Sequence, residues 1–332
     1  MRLRRRNRLA FAANRAAEHF LYIKRDDTAL QRRILADSQR SGPGRLLAID
    51  ERTQLSPEAF AAEYVQTGTP VIMRGLAKDW PAVRTWSPSL LRERYGAQQL
   101  QVMDNDISGG IFNVEELTVA EFIDGIEGGD TRKYLRFGNL LHRFPELAGD
   151  FDRGVLDRYI TKRKLGSNMG VFIGAKGTTT RLHAAPPDNL FAQVYGSKRW
   201  RVYGAAADPI LRPLMARSTY YYTEYDPDHP DHGRFPAAKH LDWYEFELHP
   251  GDVLYNPPSF WHQVTNLGPT IGVGFRWLSP MAARLNPSQL LLFFLATNPP
   301  LWFVTRNKKN YTRVLQEAEK VNRTLAALRG AR

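Results

Sequence analysis

The stretch that decides the fold is Phe172–Tyr203, FIGAKGTTTRLHAAPPDNLFAQVYGSKRWRVY. Three short apolar or alternating runs are separated by turn-forming residues. Val171–Ile173 ends at Gly174, Asn189–Tyr195 ends at Gly196-Ser197, and Lys198–Tyr203 follows at once. Two runs joined by a Gly-Ser pair read as a tight β-hairpin. In the second of them Lys198, Trp200 and Val202 share a face, because successive strand side chains alternate. Outward from this hairpin, Glu245–Leu248, Val253–Tyr255 and Ile271–Trp277 are further strands, with Pro250-Gly251-Asp252 turning between the first two. Short strands at this spacing predict an antiparallel sandwich or barrel.

Upstream the texture is helical. Ser56-Pro57-Glu58 supplies an N-cap, a first-turn proline and an acid at the positive end of the helix dipole, and Gly68 stops that helix. Ser87-Pro88 opens a helix that ends at Gly96. Thr118 and Glu121 form a capping box, closed by Gly128-Gly129. Pro70–Gly75 is a short buried-strand pattern between the first two helices. Tyr220–Arg234 (YYYTEYDPDHPDHGR) is a long polar insertion, expected as a surface loop and candidate lid. Its aromatics Tyr220, Tyr221, Tyr222 and Tyr225, with Trp243 and Tyr244, are candidates to line an entrance or cover a sheet edge.

The chain has 332 residues, no cysteine and a formal net charge of +12. The absence of cysteine excludes disulfides, thiolate zinc sites, iron–sulfur clusters and cysteine nucleophiles, so any metal must rest on nitrogen and oxygen. The charge sits at the ends. Residues 1–45 carry 12 basic against 4 acidic residues, and residues 305–332 carry 8 against 2. The middle is slightly acidic, so nucleic acid is not expected at the core. The apolar run Leu9–Ala13 is too short for an export signal. Residues 9–24 read as a basic amphipathic helix with Phe11, Phe20, Leu21 and Ile23 as its apolar members. Leu290–Val304 is strongly apolar but broken by Asn298-Pro299-Pro300, so no membrane span is expected and a cytoplasmic location is. This run and the amphipathic stretch 311–328 form a candidate homodimer element. The expected organisation is a basic helical arm over 1–45, a domain over 46–280 with its β core at about 169–280, and a helical extension over 281–332.

Two histidines stand out. His183 follows LysGlyThrThrThrArgLeu, and His262 follows AsnProProSerPheTrp. Imidazole suits iron, zinc, copper or nickel. An isolated histidine is more often a satisfied core or surface residue, so context must decide.

From Pro70 to Leu278 the chain resembles the cupin-like branch of the jumonji-C oxygenases. The resemblance rests on Pro70–Tyr95 (PVIMRGLAKDWPAVRTWSPSLLRERY), Phe172–Tyr203 and Leu248–Trp277, in that order. The family uses Fe(II) and 2-oxoglutarate, and the asparaginyl hydroxylase of hypoxia-inducible factor is a member. The resemblance implies a double-stranded β-helix, or jelly roll, with outer helices. It puts His183 and His262 at the metal, and Thr180 and Lys198 at the far carboxylate of 2-oxoglutarate. Asn189 and Gln193, sharing a strand face, are polar candidates for the pocket wall. One departure matters. The family carries His-x-Asp, and this chain reads His183-Ala184-Ala185, so Ala185 stands where the metal carboxylate is expected. Asp188 is the nearest acid in sequence and a candidate substitute if Pro186-Pro187 bends the strand. The resemblance implies an oxygenase of the hydroxylase type acting on a protein side chain or small molecule. The missing acid leaves two alternatives: a non-catalytic binding protein, or a halogenase with halide in the vacant position.

Overall fold

The computed structural model describes residues 3–21, 26–105, 114–136, 139–160, 164–214, 221–295, 297, 299–307, 313–314, 316–317 and 320. Eight antiparallel strands form the jelly roll: β1 (Leu165–Gly174), β2 (Thr179–Ala184), β3 (Asp188–Tyr195), β4 (Lys198–Tyr203), β5 (Trp243–Leu248), β6 (Val253–Asn256), β7 (Trp261–Asn266) and β8 (Thr270–Leu278). They alternate between two facing sheets, in the order β5-β4-β7-β2 in one and β6-β3-β8-β1 in the other. Each strand's next neighbour in sequence lies in the opposite sheet, except that β4 and β5 pair within the same sheet. Gly196-Ser197 is therefore a corner between sheets rather than the turn of a paired hairpin. Gly196 is the residue that permits it: its φ is +64°, and a Cβ there would lie 2.2 Å from the Pro269 carbonyl oxygen.

Further strands lengthen the second sheet to nine. Val71–Met73 pairs with β6, and Lys133–Leu135 pairs with β1 and leads to Gln99–Asp104 and Val114–Thr118. The helical signals hold. Ser56 and Ser87 cap helices Pro57–Phe60 and Pro88–Tyr95, and Thr118 and Glu121 close their capping box on Val119–Glu127. These helices bury Phe60, Trp86, Leu91, Phe122 and Ile123 against the outer face of the second sheet. A second apolar cluster, including Phe172, Phe191, Trp200, Leu248 and Val264, fills the space between the sheets.

A third cluster binds the appendages to the first sheet. The arm forms α1 (Arg5–Ala16), continued by a π-helical turn over Ala17–Leu21, and α2 (Thr28–Gln39). Ile23 lies outside the described residues. Phe11, Leu30 and Ile34 pack with Ile210, Leu211, Phe235 and Leu241. At the other end, α3 (Pro287–Leu295) and α4 (Leu301–Arg306) are separated at the predicted break. Most of 311–328 lies outside the described residues. The 220–234 insertion is not wholly a surface loop. Tyr220 is outside the described residues, but Tyr221-Tyr222 form a short buried strand paired with Ala184 and His183. No helix among the described residues is long and apolar enough to cross a membrane.

Candidate metal and cosubstrate site

The register of β2 and β7 puts His183 directly opposite His262, and their rings lie 4.1 Å apart between centroids. Each Nδ1 faces a backbone carbonyl, Arg181 at 2.8 Å for His183 and Phe260 at 3.0 Å for His262. A carbonyl only accepts, so each Nδ1 carries the proton and the lone pair sits on Nε2. Metal-binding imidazoles are oriented by this same arrangement. Tyr222 stacks on His183 and Trp200 on His262, at 5.6 Å and 5.5 Å between ring centroids. Burial pushes the His262 imidazolium down to about 4. Burial, then the charge of His262 if present, holds His183 well below its ordinary value. Both rings are neutral near pH 7, the ligating form.

The histidines lie in a narrow cleft between the two sheets, with a cavity volume of about 30 Å3. Thr180 and Asn189 line it, as the sequence suggested. The Asn189 Oδ1 atom is buried there with no hydrogen-bond partner. Tyr222, one of the entrance-lining candidates, lines it too, and three further members carried no signal in the sequence: Tyr134, Arg136 and Arg276. Tyr134 and Arg136 come from the inner strand Lys133–Leu135 and the residue after it, Tyr222 from the insertion and Arg276 from β8, far apart in the chain. Only strand pairing brings them together.

Lys198 lies deeper. It is fully buried, and its ammonium donates to Asn266 Oδ1 at 2.6 Å and sits 5.7 Å from the centre of the Tyr134 ring. Tyr134 in turn lines the cleft and is hydrogen-bonded to the Thr180 side chain. Burial alone pushes Lys198 down to about 7. A buried ammonium held by one neutral amide is poorly compensated. A carboxylate is the chemical group that would match it best.

Three expectations are placed differently. Ala185 has no side chain to offer, and its carbonyl accepts from the backbone of Ser259 at 2.8 Å. Asp188 is not a substitute ligand. It is next to Asn189 on β3, so it points out of the opposite face of the sheet, where the Tyr255 hydroxyl donates to it at 2.8 Å. Pro186-Pro187 does not alter this parity. Burial pushes the Asp188 carboxyl up to about 6. Gln193 does not line the cleft. Its amide nitrogen donates to the carbonyls of Tyr195, Gly196 and Ile271 and braces the Gly196 corner, beside a register shift between Ile271 and Gly272. Among the described residues, no group of three acids or histidines could hold a metal.

A cupin-like domain profile matches residues 57–283. The chain belongs to the cupin-like domain family. Curated relatives extend this family to the jumonji-C proteins. Lysine-specific demethylase 8 of Xenopus tropicalis is 27% identical over 228 residues, covering 67% of this chain and 51% of that protein. The bifunctional peptidase and (3S)-lysyl hydroxylase JMJD7 of Homo sapiens is 23% identical over 270 residues, covering 71% and 85%. The X-ray structure of E. coli ycfD superposes with a TM-score of 0.47 at 19% identity, covering 70% of this chain and 55% of that one. The chain spans about half the length of several curated relatives it matches.

The residues present fit 2-oxoglutarate better than they fit iron. Thr180 and Tyr134 in the cleft wall, with Lys198 behind Tyr134, offer two hydroxyls and an ammonium to a carboxylate. For Fe(II) the cleft offers two oriented imidazoles and the unsatisfied amide oxygen of Asn189, but no described carboxylate. Such a donor set holds a divalent ion weakly unless another anion matches its charge.

Proposed function

We propose that this chain is an Fe(II)- and 2-oxoglutarate-dependent oxygenase of the hydroxylase type, whose metal is retained only together with its cosubstrate. The observation that carries this reading is Lys198, a fully buried cation with no carboxylate partner among the described residues, beside two preorganised imidazoles. An apolar residue in its place would be less costly to bury, so its presence is explained by an anion that binds there.

His183 and His262 would present Nε2 to the metal, with their rings fixed by backbone carbonyls and by Tyr222 and Trp200. Lys198 and Thr180 would hold the far carboxylate of 2-oxoglutarate, with Tyr134 as a further donor. Phe172, Phe191 and Val264 supply an apolar wall that excludes water. When bound, the metal and cosubstrate supply the oxidant derived from O2 that attacks a substrate C–H bond. The names of the two relatives above point to lysyl side chains. Arg136 and Arg276 also line the cleft.

The test is succinate formation from 2-oxoglutarate with Fe(II) and O2. Turnover in the wild type, lost in His262→Ala, supports the proposal. Turnover absent in the wild type but present in Ala185→Asp favours the second reading, a non-catalytic binding protein, which the missing carboxylate supports. A product that requires chloride and forms only with Ala185 favours a halogenase. A cytoplasmic location and a homodimer through residues 281–332 belong to this proposal too. The exposed Leu291, Phe294, Leu295 and Trp302 support the homodimer. A monomer mass by sedimentation at micromolar concentration removes it.

A further inference from the structure

A second cleft lies outside the jelly roll, between residues 27–35, which include most of the first half of α2, and residues 210–212 and 233–237, with a volume of about 270 Å3. Its floor is apolar, built from Leu35, Ile210 and Phe235, and its rim carries Arg32, Arg212 and Arg234. The guanidinium groups of Arg212 and Arg234 lie 5.8 Å and 5.6 Å from the centre of the Phe235 ring. Arg234 is paired with Glu224, and Asp27 in the wall is engaged by Gln31. Arg32 and Arg212 make no ion pair within 4 Å among the described residues; Asp26 acts on Arg32 only electrostatically and Arg212 donates to the Arg234 carbonyl at 3.5 Å, so three guanidiniums outnumber the one carboxylate, Asp27, in the cleft wall.

Arg212 is also held in the left-handed region, at φ +52°, where it ends a short helix. Glycine is the usual residue in such a position, and a longer side chain there is strained. Strain of this kind, kept at a cleft, is a reason to look for a ligand. Because α2 lies before residue 57, one wall of this cleft comes from the arm, outside the matched family domain, and the other from 210–212 and 233–237 within it.

We propose that this cleft is a binding site for a small amphiphilic anion, with a carboxylate or similar acid group between Arg32 and Arg212 and an apolar body against Phe235 and Leu35. The basic arm then has a defined role as one wall of a ligand site. The apolar floor selects against simple inorganic anions, and the paired guanidiniums select against amines.

The experiment titrates the full chain with 8-anilinonaphthalene-1-sulfonate, an apolar aryl sulfonate, followed by fluorescence and by displacement with octanoate or octylamine. The expected result is a saturable component displaced by octanoate and not by octylamine. Arg32→Ala and Arg212→Gly should each weaken that component roughly tenfold, the loss of one charge-assisted contact. Both arginines are exposed, and Arg212→Gly relieves the backbone, so its thermal midpoint should stay the same or rise. Binding and stability therefore move in opposite directions. Equal binding by wild type and both variants, or equal displacement by octylamine, would overturn the proposal.

Discussion

Raising the pH from 6 to 8 should weaken 2-oxoglutarate binding roughly tenfold, because Lys198 must be charged to hold the distal carboxylate. Burial sets the ammonium at about 7 in the empty site. At pH 6 about nine-tenths of the molecules carry the charge, and at pH 8 about one-tenth, while the bound anion keeps the proton in place throughout. The histidines do not confuse this window, since burial holds His262 near 4 and His183 well below its ordinary value. The assay is calorimetric titration of 2-oxoglutarate into anaerobic protein with Mn(II), at several pH values and in two buffers of different protonation enthalpy. Near pH 7.5 binding should take up about three-quarters of a proton. Lys198→Met should abolish binding yet stabilise the empty protein. The sign follows from linkage. Lys198 is lowered in the folded state, so folding carries its full cost below about pH 7 and regains that stability as pH rises toward 10.5. The methionine variant should lack this alkaline gain. A pH-independent affinity with no proton uptake would refute the assignment of Lys198 as the anion anchor.

Other outcomes follow from the same geometry. His262 is neutral in the fold down to about pH 4 but protonates near 6.5 when unfolded, so stability is full above 6.5 and falls as pH drops toward 4. The loss from this residue is about 3 kcal/mol, and His262→Gln should flatten that limb in acid-dependent urea melts. Gly196→Ala should destabilise by more than about 2 kcal/mol, because a Cβ meets the Pro269 carbonyl at 2.2 Å and φ is +64°. Asp208 accepts from Trp261, Asn286 and Gln289, each at 2.7 Å, joining β7 to the C-terminal helices. Asp208→Leu should cost on the order of 3 kcal/mol by chemical denaturation, since three buried donors lose their acceptor.

The sequence carried the jelly roll because alternation and turn residues are local signals: the strands around the Gly196 corner and the Thr118 capping box are where the residues place them. His183, Thr180 and Lys198 were picked out by the resemblance to the jumonji-C family, Asn189 by strand parity, and Tyr222 as one of the insertion's entrance-lining candidates. Tyr134, Arg136 and Arg276 were not, because they reach the cleft only through pairing of strands distant in the chain. Gln193 was misjudged for a related reason. It shares a face with Asn189, but a register shift and the corner at Gly196 give its amide three carbonyls to bind. Asp188 was decided by strand parity, which two prolines did not overturn.

The central claim is that the metal is held only with its cosubstrate, and anaerobic Fe(II) titration followed by the weak visible charge-transfer band tests it most directly. The account predicts little Fe(II) binding alone, stoichiometric binding with 2-oxoglutarate, and a gain in metal-only affinity on Ala185→Asp. Tight Fe(II) binding without 2-oxoglutarate, or no band with both at stoichiometric protein, would contradict it.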